Sequence, residues 1–166
     1  EIAEVLNHES VNLFAEHYLK HLAVVQNGLG NRNDAIEIVQ NYWKKRGLTT
    51  DYFYMADGSG LSRFNAVSPG FYTNFLIKMS DNKFFLNSLP SAGEGTLDRF
   101  NESLLPGLTL QAKSGSMTRV RCYAGYLKTN SGKTLVFSFM FNHFSGSHSA
   151  LIREIQKLFV LLKSEE

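Results

Sequence analysis

The chain holds one cysteine, Cys122, so it cannot close a disulfide on itself, and its redox compartment is left open. It also lacks a charge excess: 17 Lys and Arg stand against 15 Asp and Glu, a net charge of +2. That is too little to argue for nucleic acid or an anionic membrane as a partner. No apolar run reaches the roughly 20 residues needed to span a bilayer. The N-terminus has no basic segment followed by an apolar stretch, so no signal peptide is visible, and a start at Glu1 rather than Met reads as a processed or excised piece. The five histidines, His8, His17, His21, His143 and His148, have no ligand spacing. With a single thiol beside them, neither a metal nor a cofactor is expected. Repeats, low-complexity tracts and linkers are missing too. What remains is 166 residues, 43% apolar and 19% charged, enough for one domain with its own core.

Hydrophobic spacing divides the chain into helices followed by strands. Val11, Phe14, Ala15, Tyr18, Leu22 and Val25 recur on one helical face, which should end before Asn27-Gly28-Leu29-Gly30. A second helix is predicted from Asn31 or Asn33 as N-cap through Ile36, Val39, Tyr42 and Trp43, with Lys44, Lys45 and Arg46 in its last turn and Gly47 as its stop. Tyr52 to Met55 reads as a short strand. Ser68-Pro69 opens a helix that buries Phe71, Tyr72, Phe75, Leu76 and Met79. Leu89 to Pro106 is loop-rich, with one helical turn near Leu97 to Leu104. The period then falls to two: Leu108, Leu110, Ala112; Val120, Cys122, Ala124, Tyr126; Leu135, Phe137, Phe139, Phe141, these phenylalanines being core residues. Asn130-Ser131-Gly132 marks a hairpin between the second and third strands. An amphipathic helix through Leu151, Ile155, Phe159 and Leu162 closes the pattern. The fold class is therefore α+β, an antiparallel sheet with packed helices.

Three segments carry more than packing. They are Ser10-Val11-Asn12, Asp57-Gly58-Ser59-Gly60-Leu61-Ser62-Arg63 and Lys113-Ser114-Gly115-Ser116. Taken alone, Ser10 and Asn12 read as an N-cap cluster and Asp57 to Gly60 as a tight turn with an Asx-type hydrogen bond. Together, S-x-N followed by K-[TS]-G are two of the three signatures of penicillin-binding serine enzymes, the first being S-x-x-K. Ser80-Asp81-Asn82-Lys83 satisfies S-x-x-K, but it follows the S-x-N segment and sits where a helix should end, so it reads as a polar helix terminus.

The longer surroundings, His8 to Glu16, Asp57 to Arg63 with Asn65 and Ser68-Pro69, Leu89 to Gly93, and Ala112 to Ser116 with Ala124-Gly125, occur in the order found in the D-Ala-D-Ala carboxypeptidases of peptidase family S13, the penicillin-binding protein 4 type, and the chain resembles that family over nearly its whole length. The resemblance implies a penicillin-binding/β-lactamase-like transpeptidase fold, of which residues 1–166 would be the C-terminal part without the nucleophile. It implies a serine-type carboxypeptidase or endopeptidase acting on peptidoglycan stem peptides through an acyl-serine, inhibited by β-lactams and located in the periplasm or cell envelope. Ser10, Asn12 and Lys113 would be catalytic; Ser114, Gly115 and Ser116 would bind substrate. Acyl transfer needs an activated hydroxyl, a proton path to the leaving amine and an oxyanion hole, and these residue types suit those tasks. Serine in place of threonine at Ser114 keeps the hydroxyl. Arg119 and Arg121 alternate as on an exposed strand face, with contact to a carboxylate or to peptidoglycan as the other reading. The competing reading is a non-catalytic module of the same fold that binds wall peptide or scaffolds an assembly.

Overall fold

A computed structural model describes residues 1–162. Six helices, two 3₁₀ turns and five strands follow in the order α1 (Ile2–Glu9), α2 (Asn12–Asn27), α3 (Arg32–Lys45), β1 (Phe53–Tyr54), β2 (Ala66–Val67), α4 (Pro69–Met79), α5 (Lys83–Asn87), 3₁₀ turns at Gly95–Leu97 and Glu102–Leu104, β3 (Leu108–Met117), β4 (Val120–Thr129), β5 (Thr134–Asn142) and α6 (His148–Leu162). The expected α+β class holds, and the helix punctuation is readable residue by residue. The Asn31 side chain accepts from the N–H groups of Asn33 and Asp34, Ser68 Oγ accepts from Phe71 N, and Gly47 turns left-handed just past α3 at φ 77°.

Three differences stand out at the helices. The hydrophobic spacing did not flag α1, which is eight residues long and buries none of them. Ser10 and Asn12 are not an N-cap pair: Val11 is the N-cap of α2 and makes no side-chain cap, while Ser10 ends α1 in left-handed backbone at φ 55°, ψ 50°. A side chain starting from that backbone is not aimed at the N–H groups of the next helix. Ser80 caps the end of α4 and Asn82 the start of α5, which is the polar helix terminus expected there.

Strands β3, β4 and β5 form one antiparallel sheet in that order. Alternation splits their side chains between two faces. On one, Leu108, Leu110, Ala112, Tyr123, Leu127 and Phe137 pack against Ile152, Ile155 and Phe159 of α6, with Leu97, Phe100 and Leu105 from the loop before β3 sealing the edge. Each leucine, isoleucine or phenylalanine among them, taken fully from water, contributes on the order of 1.5–3 kcal/mol. On the other face Tyr126, Ala124 and Val136 meet Leu76 and Leu89, and the Tyr126 hydroxyl donates to Leu76 O at 2.6 Å. Gly125 is required where β3 and β4 pass: a Cβ there would sit 2.1 Å from Gln111 O and 2.5 Å from Ala112 Cα. A smaller cluster, Leu19, Ala23 and Ala35, joins α2 to α3.

The outer edge of β3 is paired over only part of its length. Ala92 N donates to Leu110 O at 3.3 Å and Ala112 N to Pro90 O at 3.1 Å. Since N–H and C=O of every second residue share an edge, those of Ser114 and Ser116 point the same way, and no main-chain partner among the described residues covers them.

Candidate active site

Ser10 and Lys113 are 103 residues apart, and the fold brings them into contact: Lys113 Nζ donates to Ser10 Oγ at 3.0 Å and to Ser114 O at 2.7 Å. Both acceptors are neutral. No carboxylate pairs with Lys113 among the described residues, where the ion pairs are those of Glu154 with Arg153 and Lys157. Burial without a countercharge disfavours the ammonium and pulls Lys113 from its ordinary 10.5 down to about 8. The site therefore holds a cation with unanswered charge at the open edge of a strand.

Ser10 is held from both sides. On the α1 side, Asn7 Nδ2 donates to Ser88 Oγ at 2.9 Å. The first 3₁₀ turn also lies so close to α1 that a Cβ on Gly95 would be 2.5 Å from His8 O. On the α2 side, Glu16 Oε1 accepts from Gly58 N at 3.0 Å and from Ser59 N at 2.8 Å. Gly58 lies against α2 so closely that its Cβ would meet Ala15 O at 2.6 Å. The loop itself is closed by Asp57, whose carboxylate accepts from Gly60 N at 2.7 Å, Ser62 N at 2.6 Å and Asn65 Nδ2 at 2.8 Å. The turn read from Asp57 to Gly60 is thus present, and what the sequence did not reveal is that it clamps α2 through Glu16.

The remaining expected site residues lie as follows. Asn12 is exposed in the first turn of α2, two residues from Ser10. Lys113 and Gly115 face the helices α1, α2 and α4, whereas Ser114 and Ser116 stand opposite Tyr123 and Arg121 and face the α6 side. The two sets meet only at the strand edge, so a chain lying there is reached from both faces. Arg119 and Arg121 do not share a strand face: Arg119 occupies the β3–β4 turn at φ 58°, and Arg121 is folded back, its Nη1 donating to Ser116 Oγ and, at 3.0 Å each, to Met117 O and Val120 O. The turn is two residues long, which removes Arg119 from the ladder and leaves Arg121 directly opposite Ser116. No signal in the alternation distinguishes that arginine from a solvated one. Among the described residues no three of His, Cys, Asp and Glu gather as metal ligands, and no helix is long and apolar enough to cross a membrane.

An edge of β3 that presents Lys, Ser and Ser beside a strained serine on an interhelix corner, over a sheet backed by a terminal helix, belongs to the penicillin-binding fold. Two crystal structures of penicillin binding protein 4 (dacB) from Haemophilus influenzae, one complexed with a β-lactam, superpose with TM-scores of 0.86 and 0.85 at 22% identity, covering 98% of this chain and 41% and 39% of theirs. The chain belongs to the D-Ala-D-Ala carboxypeptidase 3 (S13) family, whose model matches residues 1–165. It is 28% identical to penicillin-sensitive carboxypeptidase A of Dictyostelium discoideum over 98% of this chain and 34% of that protein. With D-alanyl-D-alanine carboxypeptidase DacB of Haemophilus influenzae it shares 30% identity over 64% of this chain and 24% of the relative. It thus spans about a third of the length of the first of these curated relatives and about a quarter of the second.

Proposed function

We propose that these residues form the C-terminal part of a serine D-Ala-D-Ala carboxypeptidase or endopeptidase that acts on peptidoglycan stem peptides in the periplasm or cell envelope and is acylated by β-lactams. The nucleophile and its S-x-x-K lysine lie outside the 166 residues. The observation that carries this reading is the 3.0 Å contact between Lys113 Nζ and Ser10 Oγ at an open strand edge.

The roles follow from donors and acceptors. A serine hydroxyl has one proton to give and two lone pairs to receive with. Lys113 occupies a lone pair of Ser10, so the Ser10 proton is free to be donated, and the adjacent cation makes it easier to give up. Ser10 then passes its proton to the leaving D-alanine nitrogen and is recharged with the proton that the attacking nucleophile gives up, so Lys113 keeps its charge. Asn12 hydrogen-bonds a peptide carbonyl of the stem. The stem lies along the β3 edge, where Gly115 allows close approach and the Ser116 N–H supplies one arm of the oxyanion hole. The hydroxyls of Ser114 and Ser116, with the Lys113 charge, bind the terminal carboxylate.

The test is mass spectrometry of the full-length protein and of the 166-residue chain after incubation with a fluorescent penicillin. The expected result is a covalent adduct on the full-length protein at a serine outside these residues, and none on the chain alone. An adduct on Ser80 overturns the assignment, and a full-length protein that binds penicillin without acylation makes it a binding module instead.

A further inference from the structure

The mechanism above leaves Arg121 without a task, although its surroundings are unusual. Its Nη1 is committed to Ser116 Oγ and to the carbonyls of Met117 and Val120, and its Nε is buried with no hydrogen-bond partner. It opens onto a cavity of about 360 Å³ lined by Arg119, Arg121, Phe144, Ser145, Gly146 and His148. Neither arginine has a carboxylate partner among the described residues. The field there is positive: burial and then Arg121 and Arg99 push His148 below its ordinary value, opposed only by Asp98. His148 is itself tied to the Tyr123 hydroxyl at 2.6 Å.

A guanidinium cannot accept a hydrogen bond, so in the Arg121–Ser116 contact the serine oxygen is the acceptor and its own proton is left for another acceptor. Ser116 is exposed on the open edge of β3, so its hydroxyl proton is free for an acceptor bound there. We propose that Arg121 is a positioning residue that fixes the Ser116 hydroxyl as a donor to a ligand carboxylate, and thereby makes a free carboxylate the feature selected at this edge. Lys113 answers that carboxylate from the other face of the sheet. The inference rests on the reading of the β3 edge as the ligand site.

The test compares acylation of the full-length protein by benzylpenicillin and by its methyl ester, in wild type, Arg121→Met, Ser116→Ala and the double variant. Losing one charge-assisted donor should cut the preference for the free acid about 10- to 100-fold. Ser116→Ala should cut it similarly, and the double variant no further, because both act through one hydroxyl. Arg121→Lys, which keeps the charge without the fork, should show a smaller cut and covers the case in which Arg121→Met does not fold. A structural role alone predicts that acid and ester fall together with the melting temperature. That result, an unchanged preference, or additive losses in the double variant would overturn the proposal on its own. A wild-type protein that is not acylated by either compound would overturn the functional reading, and this inference with it.

Discussion

Lys113→Met removes a desolvated charge and keeps the length of the side chain. In the folded chain Lys113 sits near 8 against an ordinary 10.5, with neutral hydrogen-bond partners and burial as the cause. At about 1.4 kcal/mol for each pH unit, that gap corresponds to about 3 kcal/mol of destabilisation at neutral pH. Lys113 is half-buried, so screening by solvent reduces the figure to about 1–3 kcal/mol. The sign follows from proton counting. Below pH 8 the lysine is charged in both states and the folded chain bears the whole cost. Between about 8 and 10.5 the folded chain has released the proton that the unfolded chain still holds, so wild-type stability rises with pH relative to the variant. Lys113→Met should therefore be the more stable protein at pH 7, and the difference should shrink as pH approaches 10.5. Cys122, Tyr72, Tyr123 and Tyr126 are held above their ordinary values by burial and lose stability at alkaline pH, but they do so in both proteins and cancel in the difference. Urea unfolding of the chain and its variant at pH 7, 8, 9 and 10 provides the measurement. A variant that is less stable at pH 7, or a difference that stays flat to pH 10, would refute the desolvation argument.

Glu16→Ala leaves the N–H groups of Gly58 and Ser59 without their acceptor and should cost about 1–3 kcal/mol, read as a lower urea midpoint with an unchanged slope. Gly125→Ala places a methyl 2.1 Å from a main-chain oxygen and should cost at least about 3 kcal/mol or prevent folding, whereas Gly132→Ala in the β4–β5 turn meets nothing within 4 Å and should show only the milder strain of its φ of 90°; circular dichroism melts separate the two. Ser10→Gly relieves the left-handed backbone but takes an acceptor from the Lys113 ammonium, two effects of about 1–2 kcal/mol that should nearly cancel in a urea midpoint, while abolishing acylation of the full-length protein by penicillin.

What was legible in the sequence was whatever depends on neighbours. Strands β3, β4 and β5 announced themselves because alternation is local, whereas the two residues of β2 left no pattern, and α3 and α4 were read because Asn31 and Ser68 cap them through hydrogen bonds within three residues. Helix α1 was not read, being only eight residues long and with Ile2 and Val5 exposed. The pairing of Ser10 with Lys113 lies beyond periodicity altogether: it follows from sheet order and from where α1 ends, and only the family resemblance pointed to it. Arg121 was expected on a solvated face or against a carboxylate or peptidoglycan, and the two-residue turn put it opposite Ser116 and within reach of three acceptors. Glu16 was hidden for a similar reason, because its partners are main-chain groups 42 and 43 residues away.

The corner at Ser10 shows how these parts depend on each other. A break between two helices is most easily made with glycine, which enters the left-handed region without penalty. The chain uses glycine that way at the end of α2, where Gly28 stands at φ 77° with nothing within 4 Å of its Cβ position. Between α1 and α2 it places serine at φ 55° instead, at a cost of roughly 1–2 kcal/mol. Glycine is kept for Gly58 and Gly95, the two points where main chain must press against α2 and α1. Those contacts, with Glu16 and Asn7, tie down both flanks, so the corner cannot relax by moving a helix. The strain is then retained at one residue whose hydroxyl meets Lys113. Arg119 and His143 take the same left-handed backbone at φ 58° and 53°, so the turn alone does not single out Ser10; what does is the 3.0 Å contact of its oxygen with Lys113 Nζ.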